Sequence, residues 1–248
     1  MSTPHELREN DMTTDARASW PRQLRLPGQA AAPEGPIDMK MMFLIHHAFR
    51  RDLDAFAAAV RGTPVDDRRT WRLLADRWQV FAEALHEHHT TEDDLIWPEL
   101  RRSAAPEDLA TLEAMEAEHG EIDPLLASCA AGLRRLAQRA DEDARAALAV
   151  RMSATRESLR RHLAHEEGDA IAIIQRVVTP EDWAGIEKAI DRRGSLRGAL
   201  RLVPWIAHEV PRDVLDRVFA EVGGPLRLMW VLTRGGFARR EAAAFQHA

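Results

Sequence analysis

The chain of 248 residues contains no tyrosine and only one cysteine, Cys129. The missing tyrosine excludes a tyrosyl radical or a tyrosinate ligand. The lone cysteine excludes an intramolecular disulfide and a cysteine-rich zinc site, and it points to a reducing compartment. Any metal in this protein would have to be held by histidine and carboxylate. Runs of β-branched residues are scarce while Ala, Leu, Arg and Glu abound, which favours helix. No stretch approaches the roughly 20 apolar residues of a membrane span, and the N-terminus has no apolar signal core, so the expectation is a cytoplasmic protein.

The net charge of −6 is unevenly spread. Residues 192–248 carry ten Arg against five Asp and Glu, a balance of +5, which leaves −11 for the rest. The arginines are distributed along helical segments without interleaved aromatics, so a solvated or anion-facing surface is expected rather than a nucleic-acid interface.

Residues 1–36 are polar and interrupted by Pro4, Pro21, Pro27, Pro33 and Pro36, and they read as a flexible tail. From Met39 onward, apolar residues recur three and four apart in four long segments. Met42, Phe43, His46, Phe49, Leu53 and Phe56 mark the first, ended by Gly62 and Pro64. Trp71, Leu74, Trp78, Phe81, Leu85 and His88 mark the second, which stops soon after Pro98. The third opens near Pro106 and carries Leu112, Met115, His119, Ile122 and Leu126. The fourth opens near Asp141 and carries Leu148, Met152, Leu159, His162, Glu166 and Ile173. Short connections between long amphipathic helices predict an all-α, antiparallel up-down four-helix bundle over residues 37–178. Residues 179–248, broken by Pro204, Pro211 and Gly223-Gly224, predict a helical C-terminal extension or a homodimer element.

Each predicted helix places one histidine on its apolar stripe: His46, His88, His119 and His162. A polar group facing a core is costly without a partner. His47, which shares its side of the first helix with Arg50, Arg51 and Asp54, reads as solvent-facing by contrast. His88 and His162 each have a glutamate one turn on, Glu92 and Glu166, so imidazole and carboxylate share a helical face. The spacing alone is a weak signal, since His5 and Glu9 repeat it in the polar tail. Heights in the bundle add weight. Measured from the turn near residue 105, the centre of the His88–Glu92 pair is 15 positions away and His119 is 14. From the turn near residue 140, His119 is 21 positions away and His162 is 22. At about 1.5 Å per residue these ligands lie within a couple of ångströms of one level. His46 is offset from His88 by roughly 9 Å on the same rise, a gap left to the connection around residues 62–67. Four histidines and two glutamates exceed the donor set of one zinc ion, and glutamates from facing helices can bridge two ions in a bundle core. Imidazole and carboxylate without thiolate suit iron, with manganese or zinc as substitutes.

The stretches "FLIHHAFRRDL", "HHTTEDDLIWPEL", "EHGEIDPLL" and "RHLAHEEGDAIAII" resemble the hemerythrin-like, or HHE cation-binding, family over roughly residues 38–178. The resemblance implies a four-helix bundle holding two non-haem irons joined by an oxo or hydroxo bridge (Fe–O–Fe), which react with dioxygen, peroxide or nitric oxide, or sense iron and oxygen. By this resemblance the ligands are His46, His88, Glu92, His119, His162 and Glu166. The oxygen-carrying hemerythrins have a second histidine one turn after the one on the third helix, where this chain has Asp123, an alternative ligand or a group that orients one; that departure counts against reversible oxygen carriage. The spacing used by the carriers also makes Glu167 an alternative to Glu166. Two functions follow as expectations: reaction with a small oxidant, as an enzyme in a peroxide-consuming version, or sensing through residues 179–248 without turnover.

Around this set, His86 and His89 read as surface flanks of the second helix, with His89 an alternative ligand. His165, three residues beyond His162, reads as a group that orients a ligand through its ring N–H. Met42, Phe43, Leu85, Met115, Ile122 and Leu159, near the ligands, are expected to line a dry pocket for a small diatomic molecule. Trp71, Trp78 and Trp97 are expected to pack in the core, and Cys129 to be an inert buried thiol.

Overall fold

The computed structural model describes residues 19–248; the first half of the polar segment, with Pro4, His5 and Glu9, lies outside the described residues. Among the described residues there is no strand. Helix α1 spans Lys40–Gly62 and α2 spans Arg68–Thr91, continued by a π-helical turn at Glu92–Ile96 and by α3 at Trp97–Ser103. After a 3-10 turn at Pro106–Asp108, α4 covers Leu109–Gln138. Helix α5 spans Glu142–His165, followed by a second π turn at Glu166–Ala170 and by α6 at Ile171–Val177. The C-terminal part forms α7 (Pro180–Arg193), α8 (Leu196–Ile206), α9 (Arg212–Val222) and α10 (Gly224–Ala244).

The helices start where side chains can take up free backbone N–H groups. Asp67 accepts from Thr70 N–H at 3.1 Å and Asp141 from Ala144 N–H at 2.9 Å, while Thr179 caps α7 just before Pro180. The long helices bury their apolar stripes against one another, α2 along α4, α4 along α5, and α5 along α1. Trp71, Trp78 and Trp97 are fully buried in this core. Cys129 is buried beside Thr155, and burial raises its thiol pKa, which keeps it out of the reactive thiolate form.

The chain neighbours α1 and α2 meet through long side chains, Phe49 and Phe56 of one against Phe81 and Trp78 of the other, and the C-terminal helices pack on both of them. α8 packs on α1, α10 packs on α2, and α8 and α10 pack on each other. A buried ionic cluster fastens this contact. Asp52 of α1 accepts from Arg77 of α2, from Arg51 Nη2 at 2.7 Å and from Trp205 Nε1 of α8 at 2.8 Å; Arg77 Nε in turn donates to Glu241 of α10 at 2.6 Å.

The segment read as a flexible tail packs on the bundle throughout its described part. Leu26, Ala32, Ile37 and Met39 are buried. The Gln23 amide donates to the Ile37 carbonyl at 2.7 Å and accepts from Met39 N–H at 3.1 Å, and Gln175 makes the same two-way contact with Ile37. Gly35 lies so close to Gln175 that a Cβ there would collide with its side chain. The prolines keep the segment from becoming helical. They do not prevent it from being held by side-chain amides, its own Gln23 and the bundle's Gln175.

Candidate metal centre

The four long helices bring seven side chains to one level: His46 from α1; His88, His89 and Glu92 from α2 and its π turn; His119 from α4; His162 and Glu166 from α5 and its π turn. All are buried except half-buried His88. This polar layer divides the apolar core in two, with Phe43, Trp97, Met115 and Ile171 on one side and Phe49, Leu85, Ile122 and Leu159 on the other. The six residues expected to line a pocket therefore flank the layer from both sides, Met42, Phe43 and Met115 from one and Leu85, Ile122 and Leu159 from the other.

Ligand-type atoms fall into two groups, each with members within 4.8 Å of one another: His89, His119 and His162; and His46, His88, Glu92 and Glu166. Both glutamates reach across. Glu92 lies 3.1 Å from His88 Nε2 through Oε1 and 3.5 Å from His119 Nε2 through Oε2. Glu166 Oε2 lies 3.2 Å from His46 Nε2 and 3.9 Å from His162 Nε2. Within the first group, the His89 ring stacks on that of His119 with centroids 3.9 Å apart.

Each glutamate opens a π turn. The Glu92 N–H is shared between the carbonyls of His88 and His89, and the Glu166 N–H between those of His162 and Leu163; the Trp97 and Ile171 N–H groups then return to Glu92 and Glu166. A π turn inserts one residue into an α-helix and is frequent at functional sites. Here it occurs twice, at the same place relative to an H-x-x-x-E pair.

Three histidines are fixed from behind by carboxylates. His46 Nδ1 lies 3.0 Å from Glu167 Oε1, His119 Nδ1 3.0 Å from Asp93 Oδ1, and His162 Nδ1 2.8 Å from Glu118 Oε2. A carboxylate there draws the proton to Nδ1 and leaves the Nε2 lone pair facing the layer, the arrangement typical of metal-ligating histidines. Glu167 is itself held by Arg50 through two hydrogen bonds of 2.7 and 2.8 Å and by Ala30 N–H at 2.7 Å. Glu118 also accepts from His165 Nδ1 at 2.8 Å.

Several sequence expectations change at this point. Glu166 enters the layer, whereas Glu167 stands behind His46, outside both groups. His89 is buried inside the layer and is not a surface flank. Asp123 is exposed and belongs to neither group. His165 reaches the layer only through Glu118. Arg50, grouped with the solvent-facing side of the first helix, is buried on Glu167, and Arg51 donates to the Trp205 and His208 carbonyls of the extension. His47 is half-buried, 3.4 Å from the Pro27 carbonyl. Asp93 and Glu118 carry no mark in the sequence because they lie off the apolar stripes, and only the tertiary fold sets them behind histidines of other helices and sets Arg50 behind Glu167.

The layer's own side chains leave many of its polar atoms without a partner. Both nitrogens of His89, both oxygens of Glu92 and of Glu166, and Nε2 of His119 and of His162 are buried without a hydrogen-bond partner. Their close approaches are those of groups aimed at a common point, not of well-formed donor–acceptor pairs. Each such orphan costs about 1–3 kcal/mol when left unmet. His46 and His88 face each other Nε2 to Nε2 at 3.3 Å, close to the roughly 3 Å separating two nitrogens bound at about 2.1 Å to one ion. Burial and the neighbouring Glu166 push the Glu92 pKa well above the carboxylate range. Burial opposes charge on His46, yet Glu166 and Glu167 outweigh it and raise its pKa to about 9, while burial and the adjacent His46 depress His88 to about 3. Burial also lowers His89 and His119. Neutral imidazoles at His88, His89 and His119 beside a Glu92 carboxyl that lacks counter-charge fit a cation, and the all-nitrogen-and-oxygen donor set suits iron, manganese or zinc.

No curated protein and no solved structure matches this chain. The sequence model described as the Hemerythrin HHE cation binding domain matches residues 39–174, which cover α1 through α6 up to Ile174 and every residue of the layer. The chain belongs to the hemerythrin HHE cation-binding family.

Proposed function

We propose that this protein holds two iron ions in the layer and uses them to bind or react with a small oxidant: dioxygen, hydrogen peroxide or nitric oxide. The observation that carries the reading is the reach of Glu92 and Glu166, each of which approaches a histidine of both ligand groups. One group then comprises His46 and His88, the other His89, His119 and His162, with both glutamates shared. His89 thus supplies the fifth imidazole that the third helix lacks at Asp123. In this reading the bundle runs antiparallel, up and down, as its short connections favour.

Two iron ions in this position would supply redox and Lewis-acid chemistry toward an O–O or N–O ligand. The chain's part is to hold and shield. Glu167, Asp93 and Glu118 keep His46, His119 and His162 in the tautomer that presents Nε2. Phe43, Leu85, Met115, Ile122 and Leu159 exclude water above and below the layer, and Met42 borders it. The test is iron content after anaerobic ferrous reconstitution, with absorption spectra before and after peroxide. Two irons per chain and a ferric absorption band are expected. One iron or none overturns the reading, and gas evolution on peroxide addition distinguishes turnover from binding alone.

A sensing role is favoured by one further contact. Phe49 lies with its ring centroid 5.3 Å from that of His88 and 5.3 Å from that of Trp205, so a single side chain joins the layer to the C-terminal helices. Sensing predicts that iron loading changes the protease sensitivity of residues 179–248, with no peroxide turnover.

A further inference from the structure

The C-terminal helices expose an apolar surface for which the bundle has no use. Of the eight large hydrophobic residues exposed among the described residues, five lie on α8 and α10: Leu196, Leu200, Leu228, Val231 and Leu232. They recur three and four residues apart and form one row on each helix. The inward sides of the same helices, with Trp205 and Phe237, are buried. Leu196 and Leu232 are 72% and 74% exposed, so these side chains protrude as ridges. A peptide or helix partner is usually received in a groove, and the groove of this region lies elsewhere, between α2, α8 and α10, where Asp76, Glu83 and Glu87 line it with Arg201, Arg239 and Arg240 and none of the five protruding residues takes part.

The charged residues on the two helices themselves are nearly all of one sign. α8 and α10 carry six arginines, Arg197, Arg201, Arg227, Arg234, Arg239 and Arg240, and a single carboxylate, Glu241, which is buried on Arg77. Arg201 lies 3.6 Å from Glu83, and Arg234 stacks over the Trp230 ring at 4.6 Å. Arg197, Arg227, Arg239 and Arg240 have no carboxylate partner among the described residues. A two-fold contact between copies through this face would set these arginines against their own counterparts. An anionic surface with an apolar interior would satisfy both features, since arginines meet headgroups while protruding leucines enter the acyl boundary.

We propose that the α8–α10 face docks on an anionic lipid bilayer surface, as a peripheral contact independent of the iron chemistry. Insertion as a span is not involved, because no helix among the described residues is long and apolar enough to cross a membrane.

The experiment is co-sedimentation of the iron-reconstituted full chain with vesicles of phosphatidylcholine alone or with phosphatidylglycerol, at low and high salt. Binding at least ten-fold stronger to the phosphatidylglycerol vesicles, weakened by salt, is expected. Leu228→Glu/Leu232→Glu and Arg227→Glu/Arg240→Glu should each reduce it at least ten-fold, with helicity and iron content unchanged, since all four residues are exposed and remote from the layer. No vesicle binding, or equal binding to neutral and anionic vesicles, overturns the proposal. Binding that only the arginine variant weakens also overturns it, leaving non-specific charge attraction. A dimer in sedimentation velocity that the leucine variant dissolves, without vesicle binding, overturns it and assigns the face to a second copy of the chain.

Discussion

The cluster around Asp52 and the layer around Glu92 and Glu166 both bury several charged or titratable side chains inside apolar helices, but they differ in completeness. In the Asp52 cluster the carboxylate has guanidinium and indole donors, Arg77 is shared with Glu241, and one atom, Arg77 Nη1, lacks a partner. In the layer, eight nitrogen and oxygen atoms lack one. The first is a finished joint between the bundle and its extension. The second is finished only by something the chain does not supply. Burial alone therefore says little about a polar group's role, and the accounting of its partners says much more.

The strongest way to break this contrast is to remove a shared carboxylate. Glu166→Ala should lower iron from two per chain to one or fewer in reconstituted protein, measured by elemental analysis, while Asp52→Asn leaves iron content unchanged. Retention of both irons by Glu166→Ala would sink the bridging role.

Acid should also separate the two clusters. In iron-free protein the folded pKa values of His88, His89 and His119 lie below the ordinary 6.5, so the unfolded chain binds more protons as pH falls. Their contribution is intact above pH 6.5 and is lost progressively toward pH 3, the value for His88. His46 acts in the opposite sense: its stabilisation is full below 6.5 and disappears as pH rises through about 9. Asp52 is depressed below 3.8, because the adjacent Arg51 and Arg77 outweigh its burial, so the joint holds until pH falls below 3.8. Glu92, raised well above 4.5, opposes this by gaining stability as pH falls toward 4.5, so the histidine effect is read in iron-free Glu92→Gln, where urea titrations should show stability declining from pH 6.5 downward, and the decline should persist when Asp52→Asn is added. A flat profile between pH 6.5 and 4 would contradict this.

Asp52→Asn itself should cost about 3–5 kcal/mol in urea unfolding, because it leaves buried guanidinium charge without its counter-ion. A loss under 1 kcal/mol would mean that the apolar packing of α8 and α10 holds the extension without the ionic joint. The smallest expected effect belongs to the residue behind the layer. Glu167→Gln keeps the shape and removes the charge behind His46, so iron affinity in a chelator competition should fall by about 10–100-fold with stoichiometry still at two. Loss of an iron instead would make Glu167 a ligand.

Much of this was legible beforehand because it is local. The 3.6-residue repeat located the four long helices, and a histidine on each stripe marked His46, His88, His119 and His162 as members of the layer. The H-x-x-x-E spacing likewise pointed to Glu92 and Glu166. His89 was misread because a residue adjacent to a stripe position on a regular helix should face elsewhere. The π turn that begins three residues later, and the His119 ring on which it stacks, fall outside that regular pattern.

Spacing along single helices was enough to set the helical class, the bounds of the four long helices within a few residues, the nitrogen-and-oxygen character of the layer and the common height of His88, Glu92, His119 and His162, while His46 stayed out of level. Only the tertiary structure decided that His89 joins them, that Glu167 stands behind His46 on Arg50, that residues 19–39 pack on the bundle, and that the C-terminal helices lie across α1 and α2. These depend on partners as far apart as Ala30 and Glu167 or Arg77 and Glu241. A solvent-facing arginine and one that neutralises a buried carboxylate have the same sequence signature until folding brings the carboxylate to it.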